Sequence, residues 1–208
     1  EAHCISQWGY DFRPSYLRIA EIREYAPKAT FLAVTASATE LVAKDIMYRL
    51  GFNQGKVLRS SFARPNLQYV VRKDGNKYEQ LMRLVSNVEG SGIVYMSTRD
   101  ECEKLAQKLR DDGVSAQFYH AGLPVLERSM RQDEWLSGKT RIMVATNAFG
   151  MGIDKADVRF VVHYTMSDSM ESYYQEAGRA GRDGKRSYAM LMVAPNDYKI
   201  LSRRLESN

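Results

Sequence analysis

The most chemically pointed stretch of this sequence is Gln175-Glu-Ala-Gly-Arg-Ala-Gly-Arg-Asp-Gly184, in which Arg179 and Arg182 stand three apart among glycines beside the amide of Gln175. Fixed guanidinium groups next to glycines, where backbone can come close, suit a phosphate-rich ligand. Such arginines can neutralise charge that develops as a γ-phosphate leaves. The same residues also fit a turn with a solvated basic edge, so the remainder of the sequence has to decide.

Three further loops carry polar groups of the same character, and each follows a strand-like run. Ser97-Thr-Arg99 follows Gly92–Met96, His120-Ala-Gly122 follows Ser115–Tyr119, and Thr146-Asn-Ala-Phe-Gly-Met-Gly-Ile-Asp154 follows Arg141–Ala145. Their hydroxyls, amides and cations suit phosphate contacts. These loops and Gln175–Gly184 are expected on one rim of a sheet. Near the start, Trp8, Tyr10, Phe12 and Tyr16 surround Arg13 in a loop. Rings with a cation suit stacking on exposed bases, or they fill a small core beneath the loop.

The elements that must position these groups alternate. Leu67–Arg72, Gly92–Met96, Ser115–Tyr119, Arg141–Ala145, Phe160–Tyr164 and Ser187–Val193 read as strands. Helical spacing covers Lys77–Val88, Thr98–Asp112, Pro124–Leu136, Asp168–Ala177 and Asn196–Leu205. Thr98/Glu101 and Asp168/Glu171 have capping-box spacing. Strands alternating with helices predict an α/β fold, a parallel sheet with helices on both faces and its ligands beyond the carboxyl ends of the strands. His163, Met190 and Met192 fall on strands and read as core residues.

Before this block, Pro14–Tyr25 and Glu40–Leu50 read as helices and Thr30–Thr35 as a buried strand. One strand cannot make a sheet. Residues 1–63 are therefore expected to be the tail of a domain whose front half is missing, and residues 64–208 a complete second domain.

Among the 208 residues, 44% are apolar and 26% charged, an ordinary globular composition, and the net charge of +5 permits a polyanionic partner without demanding one. Cys4 and Cys102 have no neighbours at metal-ligand spacing, so a zinc site or a disulfide framework is not expected. There is no signal-like segment and no apolar run long enough for a membrane span; the reading is an intracellular protein, nuclear in a eukaryote and cytoplasmic in a bacterium.

Taken together, these residues resemble the RecQ group of superfamily 2 DNA helicases over nearly the whole chain. Glu1-Ala-His3 is similar to the end of a D-E-A-H box, and Cys4–Pro14 to the RecQ aromatic-rich loop. Thr35-Ala-Ser-Ala-Thr39 is similar to motif III, and Ser61-Phe-Ala-Arg-Pro-Asn-Leu67 to the link into the second lobe. Tyr95–Arg99 resembles motif IV, Ala145–Asp154 motif V and Gln175–Gly184 motif VI.

The resemblance implies a two-lobed RecA-like motor that hydrolyses ATP with Mg²⁺ and moves 3′-to-5′ on single-stranded or partly duplex DNA. It implies that Glu1 polarises the attacking water, while His3, Thr35, Ser37 and Thr39 couple the lobes. Trp8, Phe12 and Arg13 would sense DNA, and Ser97, Arg99, His120 and Thr146 would line its path. Asp154 and Gly152 would lie by the nucleotide, Gln175 would order that site, and Arg179 and Arg182 would reach the γ-phosphate, Arg182 as the finger. No G-x-x-x-x-G-K-[ST] occurs, the Asp preceding the Glu of the box is absent, and so is the family's cysteine-rich zinc module. The expectation is thus the back half of an ATPase, inactive by itself. Tyr10 stands where the family usually has His, and a phenol does not take up a proton near neutral pH. The alternatives are an RNA helicase of the same superfamily and a non-catalytic nucleic-acid-binding fragment.

Overall fold

The computed structural model describes residues 1–9, 12–36, 38–73, 75–150 and 153–206. Tyr10, Ser37 and Gly152, all singled out above, lie outside the described residues. The chain divides into two compact units, Glu1–Ala63 and Arg64–Asn208.

The first unit is helical. Two 3-10 helices, Ala2–Ile5 and Pro14–Glu21, precede α1 (Ile22–Tyr25) and α2 (Glu40–Arg49). The predicted Pro14–Tyr25 α-helix thus begins as a 3-10 helix. None of its residues is buried, so little packing favours the wider α turn. Thr39 caps α2 by accepting the Val42 N–H at 3.3 Å. Val42, Ile46 and Leu50 close with Ile5 into a small core.

Thr30–Thr35 does not form the predicted strand. Its backbone is irregular, the Ala2 N–H donates to Val34 O at 3.0 Å, and Leu32 and Val34 are 84% and 64% exposed. A strand needs a ladder, and the described residues of this unit supply no partner strand.

The second unit carries a parallel sheet in the order β1-β6-β5-β2-β4-β3. Its strands are β1 (Leu67–Arg72), β2 (Ser91–Tyr95), β3 (Ala116–Tyr119), β4 (Ile142–Ala145), β5 (Val158–His163) and β6 (Ser187–Met192). Helices α3 (Lys77–Asn87), α4 (Arg99–Asp111), α5 (Val125–Leu136), α6 (Met170–Ala177) and α7 (Asp197–Glu206) connect or close them. Alternation along each strand feeds two cores. Val94, Val144 and Phe160 meet Leu81 and Val85 of α3 and Cys102, Leu105 and Leu109 of α4. Ile93, Met143 and Val161 meet Trp135 of α5 and Ala177 of α6 on the opposite face. Met190 and Met192 are buried in the first core, as expected. Gly92 is required in β2, because a Cβ there would enter the Phe160 ring.

The cap expected at Thr98/Glu101 forms: Thr98 Oγ1 accepts the Glu101 N–H at 3.3 Å and donates to Glu101 Oε2 at 2.7 Å, so Glu101 engages the Thr98 hydroxyl. The Asp168/Glu171 box does not form. Ser169 is the N-cap of α6, accepting the Ser172 N–H at 3.0 Å, because the chain leaving β5 turns helical one residue later.

The loops after β2, β3 and β4 lie at the carboxyl rim of the sheet, but the arginine loop does not share it. α6 runs back across the sheet, and the loop after it packs at the amino ends of the strands. Gly181 N–H donates to Val158 O at 2.8 Å, and Asp183 N–H to Ala156 O at 3.1 Å. The single-rim expectation is corrected: an intervening helix reverses the direction of the chain.

Candidate functional site

The arginines meet the loop between β4 and β5, which starts at the carboxyl rim and returns to the amino rim. Arg179 Nη1 donates to Gly150 O at 2.5 Å. A Cβ on Gly150 would strike the Arg179 guanidinium, so glycine makes room for the side chain. Arg179 Nε is buried without a hydrogen-bond partner among the described residues, the kind of donor that a ligand would satisfy. Arg182 Nη1 donates to Ile153 O at 3.2 Å and pairs with Asp154 Oδ1 at 2.7 Å. The Arg182 and Asp154 side chains are 37% and 81% exposed, so the pair is hydrated and exchangeable. Arg182 thus pairs with Asp154 rather than packing into the core, and the turn with a solvated edge describes only part of the loop.

Beneath Arg179 lies a buried polar chain. Tyr95 donates to Phe149 O at 2.8 Å, and burial raises its phenol well above the usual tyrosine range, keeping it a donor. Its ring stacks on His163 at 5.5 Å. His163 is fully buried and its Nε2 lies 2.9 Å from Glu176 Oε2, which also accepts from Ser167 at 2.8 Å. His163 is a core histidine, as its strand position predicts, with a polar partner that the pattern does not reveal. Gln175 is half-buried on α6.

At the carboxyl rim, Ser97, Asn147, Ser167 and Ser172 line a polar cleft with Tyr95 and Glu176. Thr146 is nearly buried next to it, with its N–H on Tyr119 O at 3.2 Å. The His120 ring turns inward. Its Nε2 lies 2.9 Å from Glu103 Oε1, and it stacks on Phe118. What that loop exposes is the backbone of Ala121 and Gly122, with Arg99 against Gly122.

In the first unit, His3 Nδ1 lies 2.9 Å from Thr35 Oγ1 and 3.3 Å from Glu1 Oε2, so Glu1, His3 and Thr35 form one cluster. Thr39 is engaged as the α2 cap. Trp8 is 66% exposed, Phe12 is half-buried, and Arg13 lies 5.7 Å from the Tyr16 ring centre. Trp8 is therefore not packing in a small core.

Sequence reasoning missed Arg64 and Asn66, whose side chains hold the main chain of the arginine loop. The signal present was only their place in the link Ser61–Leu67.

Residues 76–184 match the family described as helicase conserved C-terminal domain. The ATP-dependent DNA helicase hus2/rqh1 of Schizosaccharomyces pombe is 46% identical over 210 residues, covering 100% of this chain and 16% of that protein. The ATP-dependent DNA helicase RecQ of Pasteurella multocida is 45% identical over 212 residues, covering 100% of this chain and 34% of that protein. The chain thus spans between 16% and 34% of the length of these relatives. Among solved structures, Saccharomyces cerevisiae Dbp5 bound to RNA and ADP BeF3 superposes with a TM-score of 0.73 at 22% identity, over 99% of this chain and 55% of that one. A DEAD box protein from the hyperthermophile Methanococcus jannaschii gives 0.59 at 30% identity, over 68% of this chain and 40% of that one. These likenesses identify the parallel sheet as RecA-like. The family match over more than half of the residues, joined to this identity along the whole sequence, means that the chain belongs to the helicase conserved C-terminal domain family, in its RecQ group.

Proposed function

We propose that this chain supplies the arginine wall of an ATP-driven DNA helicase, with single-stranded DNA tracking along the carboxyl rim and the nucleotide meeting Arg179 and Arg182. The observation that carries the reading is the state of Arg182: half-exposed, anchored on Ile153 O, and paired with a carboxylate that is itself largely in water. Such a guanidinium can exchange a hydrated partner for a phosphate oxygen at small cost. The Nε of Arg179, buried without a partner among the described residues, fits the same polyanion. Bound Mg·ATP would supply the phosphoanhydride bond whose cleavage drives the motor. In this chain Arg182 would neutralise charge on the γ-phosphate, Arg179 would hold the loop's approach, and Asp154 would release Arg182 and turn to the nucleotide. Glu1, oriented by His3, would orient the attacking water.

Translocation in the 3′-to-5′ direction belongs to the same proposal, as do base contacts by Trp8 and backbone contacts by Ser97, Arg99 and Gly122. The sequence holds no phosphate-cradling glycine–lysine loop, so the chain by itself is proposed to lack turnover. In the full-length protein, Arg182→Ala is expected to lower ATP hydrolysis by about 10³-fold or more while leaving single-stranded DNA affinity within about twofold. Wild-type turnover in that variant removes the finger assignment. Stimulation by RNA equal to that by a DNA of the same sequence would favour the RNA-helicase alternative.

A further inference from the structure

Besides its own turn bonds and its ties to β5, the arginine loop is braced by two side chains from the link into the second unit. Arg64 Nη1 donates to Gly178 O at 3.3 Å, and its Nη2 donates to Ala180 O at 3.0 Å and Gly181 O at 2.8 Å. Asn66 Nδ2 donates to Gly181 O at 2.7 Å and to Lys185 O at 2.9 Å. The two side chains grip the loop from a tight turn, in which Leu67 N–H donates to Arg64 O at 2.9 Å and Pro65 fixes one backbone angle. Asn66 O then accepts the Ser187 N–H at 2.9 Å, so the turn is tied to β6 as well. Gly181, at φ +63°, lies so close beneath this grip that a Cβ there would come 2.7 Å from Asn66 Nδ2. The carbonyls involved follow the end of α6, where acceptors lack helical partners and a cation complements the helix dipole. A planar five-donor fork can span three carbonyls; an ammonium cannot hold that geometry.

We infer that Arg64 and Asn66 are positioning residues for Arg179 and Arg182, and that they transmit movement of the interunit link to the arginine loop. The compact units part between Ala63 and Arg64, so any torque on the chain there reaches Arg64 first. The gripped carbonyls flank Arg179 and immediately precede Arg182. A link that turns therefore re-aims both guanidiniums without touching the nucleotide.

The inference rests on the proposed role of Arg182, and the experiment separates the two. In the full-length protein, Arg64→Lys is expected to lower kcat for DNA-stimulated ATP hydrolysis at least about tenfold, with KM for ATP and single-stranded DNA affinity within about twofold. Amide exchange across residues 178–186 is expected to quicken. In a background that lacks both guanidiniums, Arg179→Ala with Arg182→Ala, read by single-turnover kinetics, Arg64→Lys is expected to cost nothing further, because it acts through the missing groups. A merely structural role would lower the rate in both backgrounds alike, and that result overturns the inference. So does wild-type kcat in Arg64→Lys beside an inactive Arg182→Ala. Full turnover in Arg182→Ala overturns the underlying reading instead. Asn66→Ala, which leaves the guanidinium in place, is judged by the same criteria if Arg64→Lys does not fold.

Discussion

Asp183, next to the proposed finger, pairs through both carboxylate oxygens with Arg159 Nη2 at 2.7 Å and accepts the Lys185 N–H at 3.0 Å. These bonds, led by that to Arg159, hold its carboxyl below the ordinary range. The folded-state pKa is thus lower than the unfolded one. The contribution to stability is present above the unfolded value of about 3.9 and is lost as pH falls through the depressed folded value. Asp183→Asn is expected to melt at lower temperature than the wild type at neutral pH, with the gap closing as pH drops below about 4. A gap that stays constant across thermal melts at those pH values would show that the carboxylate is not the source. Residue types showed that Arg179 and Arg182 suit a phosphate-rich ligand or a solvated turn, and the RecQ resemblance implied the first and set Asp154 by the nucleotide; the Arg182–Asp154 pair was not legible. Arg64 and Asn66 stayed invisible because an arginine that binds main-chain carbonyls needs no particular residue opposite it.

At the scale of elements, local patterning carries most of the secondary structure, and its failures have local causes. The α4 start was readable because Thr98 and Glu101 satisfy each other as well as the helix end. Thr98→Ala is expected to destabilise the fold by about 1 kcal/mol, seen as a shift of the denaturation midpoint with an unchanged denaturant slope. A variant as stable as the wild type would mean that water replaces the cap at no cost. At α6, two neighbouring residues were both competent caps, and only the path of the chain out of β5 selects Ser169 over Asp168. Thr30–Thr35 has a strand's composition, but strand structure depends on a partner that composition does not encode.

For the whole molecule, alternation of strands and helices announced a parallel α/β sheet, and likeness to solved structures identifies it as RecA-like. The order β1-β6-β5-β2-β4-β3 was not legible, because long-range pairing leaves no mark on any one strand. The arginine loop was assigned to the wrong rim for a related reason: its distance in sequence from β5 hides the reversal made by α6. The β4–β5 loop resolves the geometry, since it links the polar carboxyl rim to Gly150 and Asp154, where the arginines lie. A catalyst of the proposed kind binds the charge distribution of phosphoryl transfer more tightly than its ground state. The most direct measurement is therefore the affinity of the full-length protein, with and without Arg182→Ala, for ADP and for ADP with aluminium fluoride, which imitates the phosphoryl group in flight. The account predicts that the variant binds ADP as the wild type does and the fluoride complex at least about a hundredfold more weakly. Equal affinity of the two proteins for the fluoride complex would contradict it.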